Sequence, residues 1–339
     1  MIEKLIQNPL TLKRWQVFKS RKMSWISLWA FLFFIVISLT AEFWSNNKPI
    51  FLFYQGSFYA PVFKQYHPTD FGIQNENTMN YRQLELAGKD LALWPIIKWN
   101  PYESNLDVRK FPSPPSLKNW LGTDDRGRDV LSRLLYGYRY SILFAISVWL
   151  FSYIIGIFLG ALMGYFGGLI DLAGQRLVEI FESLPSLVIL ITITTVFGRS
   201  LSFIIIFFSL ISWVSISLFI RAEFLRLRKR DFVEASRAQG RGPLGIIFKH
   251  ILPNALNPVI TFSPFALAGL IGSLAILDYL GFGLVPPTPS WGELLSQSEK
   301  HITTAWWLAV YPSLALFSTL LSLTFIGNGV RDAFDPKQI

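Results

Sequence analysis

Six long apolar runs constrain this chain of 339 residues more than any other feature of its sequence. Each run has about 20 to 25 residues, and an α-helix of that length spans the roughly 30 Å hydrocarbon core of a bilayer. The runs cover residues 25–44, 140–163, 177–197, 201–220, 256–280 and 304–326. We interpret the first run as a retained span, because its basic leader is too long for a cleaved signal peptide and no small-x-small site follows it. The sequence therefore predicts an all-α membrane protein with six transmembrane helices.

Composition and charge placement agree with this interpretation. Apolar residues make up 52% of the chain, and only 16% of residues are charged. The net charge of +9 comes mostly from two basic segments between apolar runs, so it indicates membrane topology rather than nucleic-acid binding. Their cations are Lys4, Lys13, Arg14, Lys19, Arg21 and Lys22, then Arg221, Arg226, Arg228, Lys229, Arg230, Arg237, Arg241 and Lys249. Six spans put both segments on one side, which predicts that both termini are cytoplasmic.

The apolar runs also divide the chain into regions. We predict a cytoplasmic N-terminal arm at 1–24, transmembrane helix 1 at 25–44, and a periplasmic segment at 45–138. A five-helix core follows at 139–331, with a cytoplasmic loop at 221–253, and a cytoplasmic tail at 332–339. In the periplasmic segment, aromatic runs on either side of Gln55 and Gly56 predict a β-hairpin. The rest of that segment, including the polar stretch 74–78, is expected to be irregular or weakly β-rich.

Immediately before the second span, apolar and charged residues recur at helical spacing. The apolar positions are Val130, Leu131, Leu134 and Leu135, and the charged positions are Arg126, Asp129 and Arg133. This pattern predicts a short amphipathic helix that lies flat at the membrane interface.

The spans carry two further patterns that bear on packing. Gly156, Gly160 and Gly164 recur at every fourth position, so another helix can approach this face closely, and we favour a helix of this chain over one of a partner. Glu179 and Glu182 lie one turn apart after Arg176, near the end of the third span. Acids within a membrane can mark an ion path, but this position favours a local network with Arg176.

The cytoplasmic loop contains a stretch, residues 231–253, that predicts two short helices joined by a fixed turn. Asp231 is expected to cap the first helix with help from Glu234, and Gly240 to end it in the left-handed conformation. Pro243 suits the first turn of the second helix and Pro253 its end. Phe232, Ala235, Ala238 and Gln239 form a low-relief face of the first helix. We favour docking of this face into a groove of another protein over a solvated basic loop.

These residues also carry a family resemblance. The pattern formed by Glu234, Ala235, Gly240, Leu252 and Pro253 resembles the EAA loop of ABC-importer permeases. Two positions depart from it, since Ser236 replaces a second alanine and His250 stands where many members carry isoleucine. Four other motifs resemble dipeptide and oligopeptide permease subunits: LGTDDRGRD at 121–129, GYFGG at 164–168, LGFG at 280–283 and PPTPSWG at 286–292. Among these, the long external segment and the ending of the chain are similar to the permeases of oligopeptide and microcin C importers.

The resemblance implies a type I ABC importer permease fold and a bacterial inner-membrane location. It implies a heterodimer with a second homologous permease, cytoplasmic ATPase subunits that use ATP and Mg²⁺, and a periplasmic peptide-binding protein. The ATPase-coupling residues that it implies are Phe232, Glu234, Ala235, Ser236, Ala238, Gln239, Gly240, His250, Leu252 and Pro253. The chain has no phosphate-binding loop of its own, so it needs no cofactor and is not expected to be an enzyme.

Two alternatives have to be tested against this prediction. An ion-coupled secondary transporter would show interrupted helices and acids near the middle of the bilayer. A membrane enzyme would need a nucleophile with a base or a metal site, but His67, His250 and His301 are far apart, and the chain has no cysteine.

Overall fold

A computed structural model describes residues 8–73, 79–84, 86 and 90–335 of the protein. The polar stretch 74–78, the first seven residues of the predicted arm and the last four of the predicted tail lie outside the described residues. The helices are α1 (Pro9–Ser20), α2 (Lys22–Leu39), α3 (Ala41–Trp44), α4 (Val130–Phe166), α5 (Gly168–Ser183), α6 (Ser186–Phe197), α7 (Leu201–Leu227), α8 (Asp231–Ala238), α9 (Pro243–Ile246), α10 (Leu252–Ala255), α11 (Asn257–Tyr279), α12 (Trp291–Lys300) and α13 (Trp307–Phe334). The strands are β1 (Phe51–Tyr54), β2 (Ser57–Tyr59) and β3 (Leu91–Leu93).

The chain forms two compact units. The first unit contains the residues up to Leu32, Ser141–Val285 and the residues from Leu316 onward. The second unit contains Phe33–Tyr140 and Pro286–Ala315.

Within the described ranges, five helices are long and apolar enough to cross a membrane: α2, α4, α7, α11 and α13. The pair α5 and α6 makes a sixth span if the two helices are counted as one, with a bend of 79° between them. The predicted third span is therefore not one continuous helix. Pro185 has no backbone N–H, and it disfavours helical backbone at Leu184, which adopts an extended conformation (φ −93°, ψ 131°).

The start of α4 corrects one prediction. No separate interfacial helix precedes the second span, because residues 130–137 form the first turns of a single helix of 37 residues. No proline interrupts this stretch, and the helix ends only before Gly167, whose φ is +68°. The sequence pattern was helical as predicted, but the boundary after it was wrong.

The second unit contains a small antiparallel sheet in the order β2-β1-β3. The predicted hairpin is confirmed, and its turn residues Gln55 and Gly56 both have positive φ, 48° and 77°. The pairing of β3 with the other edge of β1 was not predicted. Leu52, Phe71 and Tyr81 form the buried core beside this sheet.

In the first unit, the glycine pattern of α4 packs against α7. A β-carbon at Gly160 would overlap the backbone of Ser217, and one at Gly164 would lie 2.7 Å from the carbonyl oxygen of Arg221. These close approaches need glycine, and they confirm that the glycine face packs within this chain.

Candidate functional site

Helix α8 is the first helix of the predicted docking element, and backbone groups rather than side chains cap its two ends. Arg230 is the N-cap residue and makes no side-chain cap, so the prediction that Asp231 caps this helix is wrong. Asp231 is the first helical residue, and with Glu234 it puts two carboxylates at the positive end of the helix dipole. The end of the helix is as predicted, because Gly240 has the left-handed φ of +76°. The N–H of Gly240 donates to the carbonyl oxygen of Arg237 (2.9 Å), and the N–H of Arg241 donates to the carbonyl oxygen of Ser236 (3.2 Å).

The second helix of this element is longer than predicted. Pro243 begins α9 as expected, but Pro253 does not end the helical run, which continues through α10 to Ala255. A π-helical turn at Ile247–Ile251 precedes the proline, and the N–H of Leu252 donates to the carbonyl oxygen of Ile247. This wider turn shifts the hydrogen-bond pattern just where Pro253 lacks a donor, so the proline is tolerated.

The inner side of α8–α10 is apolar and buried. Val233, Ile246 and Ile251 belong to one buried cluster with Ile220 and Phe224 of α7. Ser236 is also buried, and its hydroxyl donates to the carbonyl oxygen of Phe232 (2.9 Å). Serine in place of the usual alanine is therefore accommodated on the inner side of the helix.

The outer side exposes apolar and small side chains. Phe232 is 41% exposed, Leu244 69% and Phe248 60%. The other predicted coupling residues are distributed as follows: Glu234, Ala235, Ala238, Gln239, Gly240 and Pro253 are exposed, and His250 and Leu252 are half-buried. The residues Phe232, Ala235 and Gln239 share one side of α8, because they are three and four positions apart.

Polar contacts hold α7, the helix on which this element packs, to its neighbours. The guanidinium of Arg221 on α7 binds Asp171 on α5, with Nη2 2.7 Å from Oδ2. Arg228 donates from Nη1 to the carbonyl oxygen of Tyr165 at the end of α4 (3.1 Å). These contacts join α7 to α4 and α5.

Two cavities of the first unit are lined by residues of α7 and α11 together with neighbouring helices. One has a volume of about 380 Å³ and is lined by Glu182, Ser186, Ser212, Ser215 and Ser273 among apolar residues. The other has about 430 Å³, and it shares Ser212 and Ser215 with the first. Arg176 and Glu179 form the expected local ion pair (2.5 Å), whereas Glu182 faces the cavity. Small hydroxyls on otherwise apolar helices give this part of the unit hydrogen-bonding capacity.

The second unit holds a buried charge network that the sequence prediction missed. Nε of Arg128 lies 2.6 Å from Oδ2 of Asp124, and its Nη2 lies 3.0 Å from Oε1 of Glu293. Arg133 binds the same two carboxylates and donates to the carbonyl oxygen of Pro101 (3.0 Å). Arg133 was predicted on the charged side of an amphipathic helix at the membrane interface, and its side chain is completely buried. The network connects two of the sequence motifs. Asp124 and Arg128 belong to LGTDDRGRD, and Glu293 directly follows PPTPSWG.

Asp129 lies beside this network and has a different environment. Its carboxylate accepts hydrogen bonds from the amide of Asn119 and the N–H of Ser132, both at 2.8 Å. Burial raises the pKa of Asp129 to about 6, although these hydrogen bonds oppose the shift. Asp129 was predicted on the same charged side as Arg133, and it is only 1% exposed.

Comparison with known proteins places this architecture in a class. Residues 156–339 match the family of binding-protein-dependent transport system inner membrane components. The inward-facing MetNI methionine ABC transporter shares the fold, with a TM-score of 0.50 and 21% identity over 60% of this chain and 98% of the other. The chain is thus an integral membrane permease of the ABC-importer type, consistent with the bacterial inner membrane.

Three relatives define the family more narrowly. The chain is 40% identical to the inner membrane ABC transporter permease YejE of Escherichia coli over 98% of both chains. It is 36% identical to the peptidoglycan transport system permease YejE of Agrobacterium fabrum over 98% of this chain and 94% of the other. It is also 36% identical to the dipeptide permease DppC of Alkalihalophilus pseudofirmus over 66% of this chain and 73% of the other. The protein belongs to this permease family, in which transport depends on ATPase and binding-protein partners.

Proposed function

We propose that this chain forms half of a peptide translocation pathway, together with a second homologous permease, and that α8–α10 couples it to a cytoplasmic ATPase. The observation that carries the proposal is the asymmetry of this element. Its inner side is packed on α7, whereas its outer side exposes Phe232, Leu244 and Phe248. Exposed apolar side chains on an otherwise basic loop are typical of a surface that a partner covers.

The proposed coupling surface consists of those predicted coupling residues that are exposed. His250 and Leu252 are half-buried, so they would contribute by packing under this surface. Movement of the ATPase would push α8–α10 as one body, because the left-handed turn at Gly240 and the buried isoleucines hold its two helices together. ATP and Mg²⁺ would be bound by the ATPase subunit, since this chain has no phosphate-binding loop.

The cargo is a peptide, and the relatives named for peptide and dipeptide transport support this class. Within it, we propose oligopeptides, including peptides like microcin C, delivered by a periplasmic binding protein. The cavities lined by Ser212, Ser215 and Ser273 are this subunit's contribution to the pathway, because their hydroxyls can bind the peptide backbone.

The proposed topology has both termini in the cytoplasm and residues 45–138 in the periplasm. It rests on the Lys and Arg of the arm and of the loop at 221–253, which lie on the same side if α5 and α6 make one span. The core at 139–331 would then carry the coupling element on its cytoplasmic side.

The test reconstitutes the chain with its partner permease, the ATPase subunits and the binding protein in vesicles. Ala235→Glu puts a charged, longer side chain on the outer side of α8, and we expect it to abolish ATP-dependent peptide uptake at normal membrane insertion. Leu106→Glu is the control, because Leu106 is 84% exposed and lies in the external segment. Uptake driven by an ion gradient without ATPase would instead support a secondary transporter, and full uptake by Ala235→Glu would refute the docking role.

A further inference from the structure

A cavity in the first unit lies among α1, α2, α11 and α13, away from the cavities described above. Its volume is about 470 Å³, within the range of small-molecule sites. Its walls are almost entirely apolar, and they include Trp15, Phe18, Leu28, Ile260, Val330 and Phe334. Thr11 and Arg14 are the polar residues of the lining, to which Trp15 adds an indole N–H. Such walls fit a hydrocarbon chain and offer almost nothing to a peptide backbone.

Arg14 puts one cation at this apolar cavity. Its guanidinium carbon lies 4.2 Å from the centre of the Phe334 ring. Its Nε is buried and has no hydrogen-bond partner among the residues that the structure describes. A buried donor without an acceptor is costly, and an anion bound by the guanidinium would compensate for that cost with charge-assisted hydrogen bonds.

The charge around the cavity also favours an anion. Residues 8–22 contain five cations and no carboxylate: Lys13, Arg14, Lys19, Arg21 and Lys22. Arg21 pairs with Asp332 of α13, Nε to Oδ2 3.1 Å, whereas Arg14 takes part in no ion pair within the described chain. Clusters of Lys and Arg next to a membrane-spanning helix attract anionic lipid headgroups.

Tryptophans indicate the depth of the cavity in the membrane. Trp15, which lines the cavity, contacts Trp25 edge to face (5.6 Å), and Trp25 contacts Trp29 in the same way (5.6 Å). Tryptophan rings prefer the headgroup layer, so this cluster at the start of α2 marks that layer. The cavity therefore has an apolar interior and a cationic residue at headgroup level.

We propose that this cavity binds one anionic phospholipid, with an acyl chain between α1 and α13 and the phosphate on Arg14. A phospholipid supplies both parts of the recognition, hydrocarbon for the walls and a phosphate for the guanidinium of Arg14. The bound lipid would fix α1 against α13.

The test is native mass spectrometry of the purified full chain, titrated with phosphatidylglycerol or with phosphatidylcholine of the same acyl chains. We expect preferential binding of one phosphatidylglycerol, weakened about tenfold by Arg14→Gln, which removes one charge-assisted hydrogen bond. The matched control is Lys13→Gln, which removes the same charge from the neighbouring residue, a side chain that does not line the cavity. Thr11→Trp leaves every charge in place and fills the cavity from an exposed position, and it should also abolish the preferential binding.

Four results would overturn the proposal. Equal losses in Arg14→Gln and Lys13→Gln would show only diffuse attraction to the basic arm. Unchanged binding in Thr11→Trp would place the lipid elsewhere. Equal binding of the two lipids, or displacement of phosphatidylglycerol by millimolar inorganic phosphate, would show that the site does not recognise an anionic lipid.

Discussion

The network around Arg133 and the α8–α10 element use charged side chains in opposite ways. Asp124 and Arg133 are completely buried and bind charged partners within the second unit. On α8, every ionisable side chain is exposed, and apolar residues such as Phe232 share the surface with them. The network thus pairs its carboxylates with arginines of the same unit, whereas the outer side of α8–α10 exposes apolar surface that the proposed ATPase would cover.

The two regions also differ in how far apart their partners lie along the sequence. Arg128 and Glu293 are separated by 165 residues, but the bonds that end α8 join residues three and five positions apart. A network of distant partners depends on the whole second unit being folded. The turn after α8 depends mainly on local backbone geometry.

Among the variants that test this difference, we expect the largest effect from Glu293→Ala. It leaves Arg128 and Arg133 buried with one carboxylate between them, and breaking a buried ion pair in this way costs about 3–5 kcal/mol. We expect a large fall in the thermal unfolding midpoint of the protein in detergent, followed by intrinsic tryptophan fluorescence.

The matched control for Glu293→Ala is Asp107→Ala, which removes an ion pair with Lys118 of similar length, 2.8 Å, on the surface of the same unit. Both side chains are more than half exposed, so no measurable change is expected. If the two variants unfolded at the same midpoint, burial would not be what distinguishes the network.

The next test uses pH. Because burial raises the pKa of Asp129 to about 6, the folded state binds its proton more tightly than the unfolded state does. The resulting stabilisation is complete below the ordinary pKa of an aspartate and is lost as the pH rises through about 6. A shift of this size corresponds to a change on the order of 2–3 kcal/mol in the free energy of unfolding.

Asp129→Asn should remove this pH dependence. Measured from about pH 4 to 7, the unfolding midpoint of the unchanged protein should fall relative to that of the variant. Asp107→Asn should not reproduce the effect, because Lys118 holds the pKa of Asp107 below its usual value. Parallel pH profiles for the unchanged protein and Asp129→Asn would contradict the buried position of this carboxyl.

These regions also show what the sequence could predict. The apolar runs, the hairpin at Gln55 and Gly56, and the left-handed turn at Gly240 follow from local composition and backbone preference, and all three are present. The break at Pro185 carried a local signal, the proline itself, that the apolar run concealed.

What the sequence could not predict depends on distant contacts. Helical spacing put Arg133 opposite a row of leucines, which is equally compatible with an exposed face and with a buried ion pair. The partner that decides the matter is Glu293, 160 residues away, and its pairing follows from the tertiary fold alone. The inward position of Ser236 likewise depends on packing against α7, although the pattern of the loop predicted its helix correctly.

The prediction with the smallest expected effect concerns the turn at Gly240 that ends α8. Gly240 has φ +76° and Gly242 has φ −70°, and a β-carbon at either position would meet nothing within 4 Å. Gly240→Ala should therefore cost about 1 kcal/mol from left-handed backbone alone, while Gly242→Ala should cost nothing measurable.

The readout for this pair is hydrogen exchange of α8 together with ATP-dependent uptake in vesicles. Faster exchange and partly reduced uptake in Gly240→Ala alone would show that the turn holds the two helices in the orientation that the ATPase requires. Equal behaviour of the two variants would mean that the buried isoleucines fix α8–α10 without help from the turn. In that case the element would resemble the Arg133 network in depending on tertiary packing, and the contrast between the two regions would be one of exposure only.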